Sequence, residues 1–144
     1  MKKNEFRFNN KIKIQDIIIF FSKITTKEIL ENIGNKKYSI HKLKKITIYR
    51  IDINEYFKNF FVESISINSQ NNIIEKIYIN FIEKLNHQPI SACDTIAARV
   101  VSKITGIKPI EKSLSEIEFK FPWGRLNILY DIKTSSSTAI LRYK

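Results

Sequence analysis

Glycine, proline and cysteine are scarce in this chain, and each shortage removes a class of function. Only 3 of 144 residues are glycine, at positions 34, 106 and 124, and only 3 are proline. A phosphate-cradling loop or a dinucleotide-binding turn needs several glycines close together, so neither can be built here. The chain also lacks a Pro-, Gly- or Ser-rich linker, and its length suits one domain over residues 1–144 that buries about 68–70% of its unfolded surface. A single cysteine, Cys93, cannot form an internal bridge, which fits a reducing compartment. The two histidines, His41 and His87, stand far apart with no second His or Cys at ligand spacing, so no zinc or other cofactor is expected. Near the N-terminus the longest apolar run is residues 17–21, short of the roughly 7–15 residues of a secretory segment and the ~20 of a membrane span. A cytoplasmic protein without a membrane partner is therefore expected.

Acidic residues are also in deficit: 14 Asp and Glu face 25 Lys and Arg, a net charge of +11. Residues 1–60 hold 14 cations against 6 acids (+8), and residues 61–144 hold 11 against 8 (+3). Net charge informs association rather than fold, so the excess in the first half points to an acidic partner. Abundant Lys, Ile and Asn beside so little Gly and Pro is also what A/T-rich codon usage produces, and part of the excess then reflects composition rather than binding.

What the chain has in quantity is alternating apolar sequence. Residues 60–81, FFVESISINSQNNIIEKIYINF, organise the rest. Ile65 and Ile67 alternate with Ser64, Ser66 and Asn68; Ile73, Ile77, Ile79 and Phe81 share one parity, with Lys76, Tyr78 and Asn80 on the other. Between the arms lies Ser69-Gln70-Asn71-Asn72, and Asn tolerates the positive φ of tight turns. A hairpin follows, with Ile65, Ile67, Ile77 and Ile79 as core. Upstream, short strand pieces are expected within residues 5–14, and the run 17–21 is expected to be buried. Residues 38–53 alternate with a change of parity at Ile48 and Tyr49, which suggests a bulge or a strand covered on both faces. Downstream, Ile117, Phe119 and Phe121, then Leu126, Ile128 and Tyr130, then Ala139, Leu141 and Tyr143 give a three-stranded meander.

Two helices are expected. Thr25 and Thr26 with Glu28 form a capping signal for residues 26–33, closed by Gly34. Ser91 and Asp94 open a second, whose face is Ile96, Ala97, Val100, Val101 and Ile104, closed by Gly106 and Pro109. Helix, glycine and strands thus occur twice, a possible repeat of architecture. The expected fold is α+β: an antiparallel sheet of about five to seven strands with two helices packed mainly on one face.

Catalytic signatures are few. His87, Cys93 and Asp94 could in principle supply a base, a thiol and an orienting group, but small and capping residues belong at a helix start in any case, and no enzyme is expected. Glu116 and Glu118 share the polar side of one strand, where such carboxylates are either solvated or part of a contact surface. The candidate partner-binding residues are Lys36, Lys37, His41, Lys42, Lys44, Lys45 and Arg50, because no acidic residue lies between Glu31 and Asp52. Tyr38 and Tyr49 are available beside them to stack or pack. Such a run could pair with phosphates or with a partner's carboxylates; the plainer reading is a solvated lysine-rich loop. Arg125 beside Trp123 offers a cation near an aromatic, although such a Trp more often caps a core.

Small size, absence of catalytic residues, cytoplasmic character and A/T-biased composition together resemble the immunity proteins that bacteria make against contact-dependent growth-inhibition and secreted toxins. The resemblance covers the whole chain as architecture. It implies stoichiometric binding of a cognate toxin domain, here one with an acidic surface. The alternative is a nucleic-acid-associated protein using residues 36–50.

Overall fold

The computed structural model describes residues 11–14, 17–20, 38–57, 60–71, 73–83 and 89–143. Lys11–Ile14 (β1) and Ile17–Phe20 (β2) form a separate antiparallel pair with Lys11 opposite Phe20. The main sheet holds Ser39–Lys42 (β3), Thr47–Phe57 (β4), Phe60–Gln70 (β5), Ile73–Glu83 (β6), Ile110–Ser113 (β7), Glu116–Phe121 (β8), Gly124–Asp131 (β9) and Ser136–Tyr143 (β10). Its strand order is β3-β4-β5-β6-β10-β9-β8-β7, antiparallel throughout. Two four-stranded meanders are therefore joined edge to edge at a β6–β10 seam. Ile77 there faces Leu141, and Ile79 faces Ala139.

A 3₁₀ turn, Ala92–Asp94, and one α-helix, Ile96–Thr105 (α1), carry the chain from the end of β6 to the far edge at β7. Helix α1 starts at Thr95 rather than at Ser91. The Thr95 hydroxyl accepts from the Ala98 amide at 3.1 Å and donates to the Ala92 carbonyl at 2.7 Å, meeting one of the donors that every helix start leaves open. Gly106 closes the helix at φ 70°, a left-handed cap that glycine adopts without penalty.

Strand periodicity puts one face of the sheet in the core. Tyr49, Ile67, Ile77, Leu141, Leu126 and Phe119 line up across six strands, as do Ile51, Ile65, Ile79, Ala139, Ile128 and Ile117 in the next row. Ten of these twelve are completely inaccessible; Ala139 is nearly so and Tyr49 packs at the margin. Ala97, Ala98 and Val101 of α1 join the same cluster. Fully burying one such side chain is worth about 1.5–3 kcal/mol, so these rows dominate the fold's stability.

The α+β expectation holds in its coarse form, an antiparallel sheet with helix, but the fold is dominated by sheet. Eight strands replace the expected five to seven. The additional ones include the short edges β3 and β7, exposed along their length and so without an alternating apolar signal. Among the described residues there is one α-helix rather than two; the helix expected over 26–33 lies outside them. The hairpin of residues 60–81 forms, with Asn71 at φ 53° in its turn. Ile73, expected on the core side, is half exposed while Ile74 is buried, because a bulge next to Ser69 shifts the phase of β6. In β4 pairing runs unbroken past Ile48 and Tyr49, so Ile48 turns to the opposite face; the irregularity falls later, between Asp52 and Glu55, with Asn54 at φ 46°.

Candidate functional site

The face opposite the core is largely polar, although Tyr78, Leu129 and the buried Ile140 also lie on it, and the registers fix its neighbours. Lys76 of β6 stands opposite Arg142 of β10, Arg142 opposite Arg125 of β9, and Arg125 opposite Lys120 of β8. Directly opposed residues in an antiparallel pair share a face with strands about 4.8 Å apart. Four cations therefore stand in one row roughly 14 Å long. Two rows away, Asp52, Ser64, Asn80, Thr138, Leu129 and Glu116 lie across the sheet. That row is tied by hydrogen bonds from the Asn80 amide to the Ser64 hydroxyl at 2.9 Å and from the Thr138 hydroxyl to Asn80 Oδ1 at 3.1 Å.

At the β8–β10 end the row opens into a groove of about 540 Å³, lined among others by Lys112, Glu118, Lys120, Arg125, Arg142 and Tyr143. Glu118 is 6% exposed. Its carboxylate accepts from Asn127 Nδ2 at 3.3 Å and meets Lys112 Nζ at 3.6 Å. Burial alone would push this carboxyl up. The Asn127 hydrogen bond and the charges of Lys112, Lys120 and Arg125 together outweigh it and hold Glu118 below the usual carboxylate range. Asn127 Nδ2 also donates to Glu116 at 3.0 Å, which fixes the orientation of the amide. Glu118 offsets one of the four cations lining the groove, which leaves three net positive charges there. Among the described residues the ion pairs are Lys112–Glu118 and Arg50–Asp52, so Lys76, Lys120, Arg125 and Arg142 form no ion pair among them, although Lys120 and Arg125 act on Glu118 from farther away.

Next to the groove the core ends in an aromatic stack. Trp123 lies parallel to Phe121, with centroids 4.8 Å apart and 8° between the rings, and against Tyr143 at 5.1 Å and 30°. Trp123 thus caps the core between two rings. Gly124 fits between Phe121 and Tyr143 in the ladder. A Cβ there would collide with the Arg142 carbonyl oxygen, so glycine is required by close approach of β10.

The residues singled out from sequence do not form one cluster. His41 and Lys42 are exposed on edge strand β3, Lys44 and Lys45 in the bend after it, and Arg50 on β4; Lys36 and Lys37 lie outside the described residues. Arg50 is not free of acidic neighbours: its Nε meets Asp52 Oδ1 at 3.3 Å, since residues two apart on a strand share a face. Tyr38 and Tyr49 pack edge to face at 5.8 Å. Glu116 and Glu118 are engaged by Asn127 rather than simply solvated. Cys93 Sγ donates to Glu111 Oε1 at 3.0 Å. Burial first, then this hydrogen bond and the Glu111 and Asp94 charges, push the thiol up to about 11, opposite to the activation a nucleophilic cysteine requires. His87 lies outside the described residues.

Of the groove cations only Arg125 was singled out, as a cation beside Trp123 and not as part of a row. A local signal existed for two: Lys120 and Arg125 are symmetric about the Pro122-Trp123 turn, so hairpin register alone pairs them. Arg142 and Lys76 join only through the long-range β9–β10 and β6–β10 pairings. Among the described residues no helix is long and apolar enough to cross a membrane. Comparison with protein-family models, curated proteins and solved structures gives no match to this chain.

Proposed function

We propose that this chain is a non-catalytic, stoichiometric binding protein of the immunity type, which neutralises a cognate bacterial toxin domain by covering an acidic surface of it. The observation that carries the reading is the row Lys76, Arg142, Arg125 and Lys120 on the polar face of the sheet. Electrostatic complementarity of this kind gives partner choice and a fast on-rate. The sheet presents the charges on a rigid frame, so little ordering cost is added on binding. The reading requires the neighbouring gene to encode a toxin domain, and the test is co-expression with that gene's product. A tight 1:1 complex and rescued growth are expected, with association slowed by salt. No complex with the neighbouring product, or no rescue, overturns the reading.

A second reading draws on the β3–β4 hairpin, where His41, Lys42, Lys44 and Lys45 are all exposed and could follow a phosphate backbone. It requires retention of RNA or DNA at low salt with a steep salt dependence. Absence of retention in a filter-binding assay removes it.

A further inference from the structure

We propose that the groove between β8, β9 and β10 is an anchoring pocket for an acidic loop of the protein partner, with Arg125 and Arg142 holding its carboxylates; this rests on the binding-protein reading above. Like charges directly opposed across strands are destabilising, and the ladder places three such contacts in sequence: Lys76–Arg142, Arg142–Arg125 and Arg125–Lys120. The free protein carries this repulsion, and a bound anion removes it. Guanidinium groups match carboxylates two bonds at a time, and the opposed pair Arg125 and Arg142 lines a concave space of about 540 Å³, within the size range of ligand pockets.

The charges around the row favour a protein over a nucleic acid. On the same face Glu118 stands in the row beside the cations and Glu116 two rows away. A nucleic-acid backbone has one sign of charge along its length and would be repelled by them, whereas a protein surface of mixed charge can meet both. Glu118 meanwhile pairs with Lys112, and among the described residues Arg125 and Arg142 form no ion pair, which makes them the anchors.

The experiment uses the full chain labelled with ¹⁵N, titrated at low salt with a short end-blocked peptide alternating Asp and Gly, and in parallel with single-stranded DNA. Peptide-induced shifts are expected at Lys112, Glu118, Lys120, Arg125 and Arg142, disappearing as salt rises. The double variant Arg125→Gln, Arg142→Gln should bind the peptide roughly tenfold or more weakly, the value of one charge-assisted hydrogen bond, while its melting temperature at low salt rises. A lower melting temperature would show that the arginines hold the fold, and shifts at His41 to Lys45, or none, would place the contact elsewhere; either overturns the pocket. Tighter binding of DNA to the same groove residues overturns the choice of occupant. A toxin complex that the double variant forms as well as wild type defeats the pocket but leaves the binding reading standing. Peptide binding in the groove without a toxin partner does the reverse.

Discussion

Gly124→Ala tests the fold and the groove together. Gly124 is buried in the ladder opposite Tyr143, and an added Cβ would collide with Arg142 O and stand 3.1 Å from Arg142 C and 3.2 Å from Tyr143 Cα. All three are backbone atoms, so no side-chain rotation makes room. The least costly relaxation is for the end of β10 to separate from β9. That forfeits one or two ladder hydrogen bonds at about 1 kcal/mol each. It also withdraws Tyr143 from Trp123, a ring contact worth about 0.5–1.5 kcal/mol beyond its buried area. A loss of about 2–3 kcal/mol follows, which at roughly 3–4 °C per kcal/mol for a chain of this size lowers the melting temperature by about 6–12 °C. Urea denaturation followed by Trp123 fluorescence measures it, and an unchanged m-value would show that the surface exposed on unfolding is the same in both proteins. A loss below about 0.5 kcal/mol, within the range of ordinary surface changes, would refute the close approach of β10 to β9. The same variant moves Arg142 away from Arg125, so its peptide affinity should fall in parallel.

Three further outcomes are expected. Cys93, with its thiol pushed from 9.0 to about 11, should alkylate at neutral pH about 100-fold more slowly than an unperturbed thiol. Glu111→Gln should recover only part of that rate because burial is the larger cause; labelling at the ordinary rate would remove the Cys93–Glu111 contact. Glu118 is held below the usual range, so its contribution to stability is present above the unfolded carboxyl value near pH 4.3 and is lost as pH falls through the lower folded value. Urea midpoints from about pH 3 to 6 should therefore rise with pH less steeply in Glu118→Gln than in wild type, and parallel curves would contradict the Asn127 and Lys112 contacts. Thr95→Ala removes the α1 cap and should cost about 1–2 kcal/mol, most of it restored by Thr95→Ser; equal loss in both would assign the effect to packing.

How much could be read from the sequence depended on how local each determinant is. Ile117, Phe119 and Phe121 alternate against glutamates and lysine, and Ile65, Ile67, Ile77 and Ile79 flank an Asn-rich turn, so those strands and their buried faces were legible. The helix from Ile96 to Thr105 was legible from its apolar spacing and Gly106, although Thr95 takes the cap that Ser91 was expected to supply. Ile73 and Ile74 exchanged places because a bulge adds a residue without any compositional mark. The short edges β3 and β7 bury almost nothing, so no apolar period announces them. The groove is the clearest case. Its residues lie on four separate stretches of a half that is nearly neutral overall, and charge counted along the chain cannot show a row that only strand register assembles.

The order of two meanders meeting at one seam also sets an expectation for how the chain folds. Every pairing within β3–β6 and within β7–β10 joins consecutive strands, so each meander can assemble hairpin by hairpin with little loop entropy lost. The β6–β10 seam alone joins residues as distant as Ile79 and Ala139, and long-range pairing is what slows folding. Closure of the seam should then be the late event. Truncating Ala139 to Gly would chiefly speed unfolding, and truncating Ile65 or Ile67 within the first meander would slow folding instead.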